Sequence, residues 1–377
     1  MSFVVQSPIP VQQKQPGLSY ALTADGLELP VIDIAHPAFS LEPSEAELAA
    51  ALEGALRDMD SRAAAPAAAA DSFLATIQRE SRLACEIGRA REGVVGGLGT
   101  YMLKLGPSNL GAWAGDFDRA IASSLPCLSA RLRLRDCARL LVSSLMPGLA
   151  ARSGADLVLV DIAGGPASSS LNALLALRRE AGGLLAGRHV RILVLDRDNE
   201  GPAFGARCLE ALRSAGGALE GLDIVLDYLA FDWRDVASFG RILHDAALSA
   251  PEARGVLAHR AAAEPPILAL VSEGGLFDYG TDAEVAAILS ESADIVPDDA
   301  VFVGTASRPD GGAGRMNREG GIGIVLRDLD DVSHIARSSG WPLGASLEEP
   351  LSRSFVLLPS PRRRGAREGG LPARKRQ

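Results

Sequence analysis

The residues that could do chemistry gather at the ends of apolar runs in the second half of the chain. In LVLVDIAGGPASSS, residues 157–170, an aliphatic stretch ends in Asp161 and passes through Ala163, Gly164 and Gly165 to three serines. Leu157–Val160 has the composition of a buried parallel strand, and Ser168–Ser170 has residues that open a helix. Strand, glycine bend and helix start together make a nucleotide cradle. Glycines let a backbone come close to a ligand, and first-turn amides have no helical partner of their own. A second run, RILVLDRD, ends in Asp196 with Arg197 beside it, and AFDWRD supplies Phe231, Asp232 and Trp233 after a third. An acid at a strand tip also serves as a helix cap or loop anchor in any α/β fold, so the ordered set of Asp161, Gly165, Asp196 and Asp232 carries the ligand reading, not any one of them.

Other chemistries lack their residues. Cys85, Cys127, Cys137 and Cys208 are far apart, with no CxxC pair and no histidine at ligand spacing, so no metal site is expected and a reducing compartment suits the chain. His244 falls in a helical stretch and reads as structural; His189, His259 and His334 carry no partner pattern. GGAGRMNREGGIG, residues 311–323, lacks the GK[ST] ending of a phosphate loop and reads as a flexible insertion.

With 377 residues, 47% hydrophobic and 23% charged, the chain has room for a full α/β domain and an accessory region. The net charge of −9 argues against a nucleic-acid partner, although the end from Pro361 is basic and reads as a disordered tail. There is no basic-then-apolar leader, and no apolar run reaches the ~18 residues a bilayer requires, so a cytoplasmic location and no membrane partner are expected.

Five prolines make residues 1–40 an arm with extended pieces such as Leu29–Ile34. Residues 41–150 read as all-helical: helices over Glu42–Asp58 and Phe73–Arg89, and a third whose apolar face runs from Leu134 to Leu145 and ends near Pro147 and Gly148. Between the last two, glycines at 96, 97 and 99 should break the helix before the apolar run from Tyr101 to Leu105, leaving either a lid over a pocket or a packed turn. After residue 150, strands alternate with helices: Leu157–Val160, Val190–Leu195, Asp223–Leu226, Ile267–Val271 and Ala300–Gly304, then a helix at Asp330–Ser338 and strands near Leu343–Leu347 and Ser354–Leu358. The last two are joined too closely for a parallel crossover and must be antiparallel.

This pattern resembles the class I S-adenosylmethionine-dependent methyltransferases, over roughly residues 155–358. The resemblance implies a Rossmann-like seven-stranded methyltransferase sheet, five parallel strands plus a C-terminal antiparallel pair, with an N-terminal all-helical cap domain. The organisation implied is an arm (1–40), a cap (41–150), an S-adenosylmethionine-binding domain (151–360) and a tail (361–377). VDIAGGPA keeps the acid and central glycine of the family's first motif but has Ala163 and Ala167 at its flanking glycine positions. Carried over, Asp161 and the Ala163–Gly165 backbone would hold the methionine end, Asp196 with Arg197 the ribose, and Asp232 the adenine amino group, with Phe231 or Trp233 stacked on the ring. Trp233 is more often a core residue than a stacking platform. Ser272, in SEGGLFDYGTD, would pass beside the sulfonium. The interval from Asp161 to Asp196 is long for the family, which implies an extended loop at 182–188.

Methyl transfer from a sulfonium needs alignment, exclusion of water and, for a hydroxyl acceptor, removal of a proton. Glu273, Asp278 and Tyr279 are the candidate bases, and Glu273 could equally be an acid bonded to loop amides. The helical cap resembles that of small-molecule O-methyltransferases, where such helices cover the pocket or pair two subunits, which implies a small-molecule acceptor and a homodimer. Two alternatives stand beside this one. The protein could bind S-adenosylmethionine or S-adenosylhomocysteine without turnover, as a regulator, or it could be a nicotinamide-dependent Rossmann oxidoreductase, against which AGGPAS lacks the GxGxxG spacing.

Overall fold

A computed structural model describes residues 9–63, 79–89, 94–248, 264–319 and 323–361. Among the described residues a short hairpin, β1 (Tyr20–Leu22) and β2 (Glu28–Pro30), precedes the helices α1 (Glu45–Ala63), α2 (Arg82–Gly88), α3 (Gly97–Leu103), α4 (Asp116–Ala122) and α5 (Leu125–Ala151). Strands and helices then alternate: β3 (Leu157–Ile162), α6 (Ser168–Ala181), β4 (His189–Asp196), α7 (Glu200–Arg213), β5 (Asp223–Ala230), α8 (Val236–Leu248) and β6 (Ile267–Ser272). The chain continues through α9 (Leu276–Tyr279), α10 (Asp282–Ile295), β7 (Val301–Ser307), α11 (Gly311–Glu319), α12 (Leu329–Ser338), β8 (Leu343–Glu348) and β9 (Ser352–Leu357).

The seven strands from β3 onward form one sheet in the order β5-β4-β3-β6-β7-β9-β8. The first five in that order are parallel, β9 runs antiparallel to β7, and β8 antiparallel to β9. This is the Rossmann-like methyltransferase sheet that the sequence pattern resembled, with its closing antiparallel pair. Side chains alternate between its faces. Leu157 and Leu159 of β3 join an apolar cluster with α5, α6 and α7, whereas Val158, Val160 and Ile162 join one with α8, α10 and α12. Asp161 belongs by this alternation to the α6 face.

The arm and the first helices share that core: Leu29, Val31 and Ile32 cluster with Leu98, Met102, Leu141 and the sheet. Helix α5, expected within the cap, shares that cluster with β3 through Leu141, Leu145 and Leu149.

Three local expectations are corrected. Gly97 and Gly99 do not break a helix but lie in α3, where burial of Leu98, Tyr101 and Met102 offsets the cost of about 1 kcal/mol per helical glycine. Helix α5 does not end near Pro147. Its buried face continues from Leu145 to Leu149, and the Arg152 amide still reaches the Gly148 carbonyl at 3.0 Å. The expected flexible insertion is helix α11 over residues 311–319, anchored by Ala313 and Met316 against Leu52, Leu125 and Leu351. Residues 73–78 of the second expected helix, His259, residues 320–322 and the tail from 362 lie outside the described residues.

Candidate functional site

The bend after β3 adopts the conformation that glycines favour, even where it has alanines. Ala163 and Ala167 sit at φ +51° and +56°, and Gly165 at +48°. A left-handed alanine costs roughly 1 kcal/mol, so the surroundings must hold the bend. They do so from β4. The Ala163 amide donates to the Leu195 carbonyl at 2.7 Å, and the Gly165 amide to Asp196 Oδ2 at 2.8 Å. Asp196 Oδ1 accepts the Asp198 amide at 2.9 Å. Burial raises the Asp196 carboxyl above its usual range, and these amides oppose the shift. Asp161 lies beneath the bend, 2% exposed, and accepts from Ser170 Oγ at 2.6 Å. Burial pushes its carboxyl up to about 7; Ser170 opposes this and the Glu273 charge adds to it.

The outer face of the bend is in contact with the chain's own backbone. A Cβ placed on Gly97, the first residue of α3, would lie 2.9 Å from the Gly165 Cα and 3.1 Å from the Gly201 Cα at the start of α7. The Gly97 amide donates to Asp198 Oδ2 at 3.2 Å. Just past the other end of α3, Lys104 Nζ meets Glu273 Oε1 at 2.6 Å, both side chains 8% exposed, and Ser169 Oγ donates to Glu273 Oε2 at 2.8 Å. Three glycines from three elements therefore meet where the sequence suggested room for a ligand. Gly97 thus covers the face of the bend on which an adenosyl group would sit.

The remaining candidates are placed as follows. Asp278, 3% exposed, is bound by Arg133 Nη1 at 2.7 Å, by the Ser307 amide at 2.8 Å and by Ser307 Oγ at 3.2 Å. It ties α9 to α5 and β7, and its oxygens are committed. The Tyr279 phenol is pushed up to about 12 by burial and by the Asp278 charge, which makes it a poor proton acceptor near neutrality. Ser272 stitches strand ends together, donating to the Ile162 carbonyl at 3.0 Å and accepting the Leu276 amide at 2.9 Å. Phe231 does not present a stacking face: it is 7% exposed and packs on Phe239 in the core, with ring centroids 5.8 Å apart. Trp233 is half-buried against the same cluster. Asp232 lies past the tip of β5 and pairs with Arg234 at 2.5 Å and Arg197 at 3.7 Å; the Arg234 hydrogen bond is the main cause of a carboxyl lowered to about 2. The structure thus brings Asp161, the bend and Asp196 together, while the carboxylate of Asp232 is turned to arginines.

No family model and no curated protein matches the chain. Solved structures do match. A possible exported protein from Bordetella parapertussis aligns with 87% of this chain and 100% of its own, at a TM-score of 0.52 and 17% identity. Magnesium protoporphyrin IX methyltransferase from Synechocystis PCC 6803, with bound S-adenosylhomocysteine, aligns with 63% of this chain and 88% of its own, at a TM-score of 0.39 and 13% identity. The strand order is the deciding observation. The chain has the class I methyltransferase fold. At these identities the likeness is one of fold.

Within that fold, three site residues escaped the sequence reading, Gly201, Lys104 and Arg133, and Gly97 entered it only as a helix breaker in a lid or packed turn. Lys104 had a signal, a lone charge inside the apolar run YMLKL. Arg133 had a weaker one, lying within a helix between Leu132 and Leu134, both buried. Among the described residues no group of three or more His, Cys, Asp or Glu could hold a metal ion, and no helix is long and apolar enough to cross a membrane.

Proposed function

We propose that the protein binds S-adenosylmethionine at the tips of β3 and β4 and directs methyl transfer to an oxygen of a small-molecule acceptor. The hydrogen bond between Asp196 and the Gly165 amide carries this reading. It sets an acid of one parallel strand and the glycine bend of its neighbour in a single place. In open parallel sheets, ligands bind beyond the carboxyl ends of the strands where the strand order reverses, and β3, flanked by β4 and β6, is that point here. The net charge of −9 favours a small acceptor over a nucleic acid.

A second reading, binding without turnover, is favoured by a specific observation. Two candidate bases are engaged, Glu273 by Lys104 and Ser169 and Asp278 by Arg133 and Ser307, and burial raises the phenol of the third, Tyr279, to about 12. Calorimetry with S-adenosylhomocysteine, followed by a radiolabelled methyl-transfer screen against phenols and carboxylic acids, tests both. Asp196→Ala is expected to weaken binding by about 1–3 kcal/mol through loss of charged hydrogen bonds. Unchanged affinity refutes the ribose role of Asp196, and binding with no transfer to any acceptor selects the second reading.

A further inference from the structure

The ligand proposed above meets an occupied seat, and the occupant resembles it chemically. An adenosyl amino acid brings a flexible backbone-like chain and an α-ammonium group. Helix α3 brings the Gly97 backbone against Gly165 and the Lys104 ammonium 2.6 Å from the buried Glu273 carboxylate. A buried carboxylate keeps its charge only beside a cation, so whatever displaces Lys104 must supply one. We infer that α3 is an internal competitor for the adenosyl site: Gly97 and Lys104 must withdraw before the ligand reaches the glycine bend. The inference rests on the cofactor reading above and adds its regulation.

Such a movement would turn on the middle of α3. Tyr101 anchors the middle of the helix, its hydroxyl donating to the Pro30 carbonyl at 2.7 Å and accepting the Ile32 amide at 2.9 Å, with its ring edge-on to Phe204 at 4.9 Å. The tip is held by one 3.2 Å bond from the Gly97 amide to Asp198, by glycine contacts that carry no side chain, and by Leu98, 4% exposed in the core, whose side chain must shift when the tip moves. Gly96 precedes the helix, and Gly106 at φ +75° follows it. A pivot about Tyr101 with rotation of the flexible Lys104 stem opens both contacts.

The test uses the full chain with S-adenosylhomocysteine as probe, read by calorimetry, and amide hydrogen exchange of residues 97–103 without ligand. Gly97→Ala places a methyl group 2.9 Å from the Gly165 Cα and disfavours the closed state. Lys104→Met removes the competing cation and leaves the Glu273 seat for the ligand's ammonium. Because apparent affinity scales with the fraction of open molecules, each variant is expected to bind about tenfold more tightly than the wild type, and Gly97→Ala to exchange faster over α3. Binding by the wild type that neither substitution tightens overturns the competitor and leaves the cofactor reading standing. Absence of binding by all three proteins at millimolar probe overturns both.

Discussion

Asp278 gives the sharpest division between a structural and a chemical role, because the structure assigns it enough bonds for a large and specific loss. Its side chain is 4% exposed and that of Arg133, its ion-pair partner, 15%. Asp278→Ala removes that pair and leaves a nearly buried guanidinium with only its 3.0 Å bond to Ser307 Oγ. Breaking a buried pair from one side costs about 3–5 kcal/mol, most of it the uncompensated charge. The Ser307 amide, which donates to Oδ1 at 2.8 Å, also loses its acceptor at the end of β7, adding about 1 kcal/mol. Equilibrium urea unfolding of the wild type, Asp278→Ala, Arg133→Met and the double variant measures this. The double variant should lose at least 2 kcal/mol less than the sum of the two single losses, since it strands no charge. If Asp278→Ala unfolds within about 1 kcal/mol of the wild type, the account of Asp278 as a tie between α9, α5 and β7 fails, and its carboxylate is again available as a proton acceptor.

Three further outcomes follow from the same geometry. Burial pushes the Asp161 carboxyl up to about 7 in the folded protein, against an ordinary 3.8, so between those values the folded state holds more protons than the unfolded one. Its contribution therefore falls as pH rises from about 4 to 7, by up to about 4 kcal/mol, and Asp161→Asn should flatten the stability–pH curve in that window; an unchanged slope refutes the assignment. Part of the slope should persist in the variant, since burial and the Asp136 charge also push Glu349 up to about 7. Gly205→Ala would put a methyl carbon 2.5 Å from the Pro166 carbonyl oxygen, and a shift of α7 costing about 1–3 kcal/mol should lower the thermal midpoint; an unaltered midpoint contradicts the packing of α7 on the bend. Tyr101→Phe leaves the Ile32 amide and the Pro30 carbonyl without their buried partner, a loss of about 1–3 kcal/mol by urea unfolding that an indifferent variant would disprove.

The parallel strands were legible because each contains a local aliphatic run. Leu157–Ile162 and Ile267–Ser272 needed no knowledge of their neighbours. The strand order came from a resemblance, since periodicity says which face is buried and not which strand lies alongside. Helix ends were harder to place, because Pro147 and Gly97 are breakers by local propensity and tertiary burial overrules them. The site shows the deeper difficulty. Glycines at a bend report that some backbone comes close, and sequence spacing cannot say whether it belongs to a ligand or to the same chain. Here Gly97 and Gly201, far apart in sequence, supply it against Gly165, and Asp161 crowds Gly164, so the glycines of AGGPA are accounted for by packing before any ligand is considered. What packing leaves unexplained is charge. A tight turn has no need of a buried lysine and glutamate beside it, and an apolar pair of similar volume would generally hold α3 at no loss of stability. The Lys104–Glu273 pair is therefore the feature of this crevice on which the proposed competition for the site rests, and the one whose removal tests it most directly.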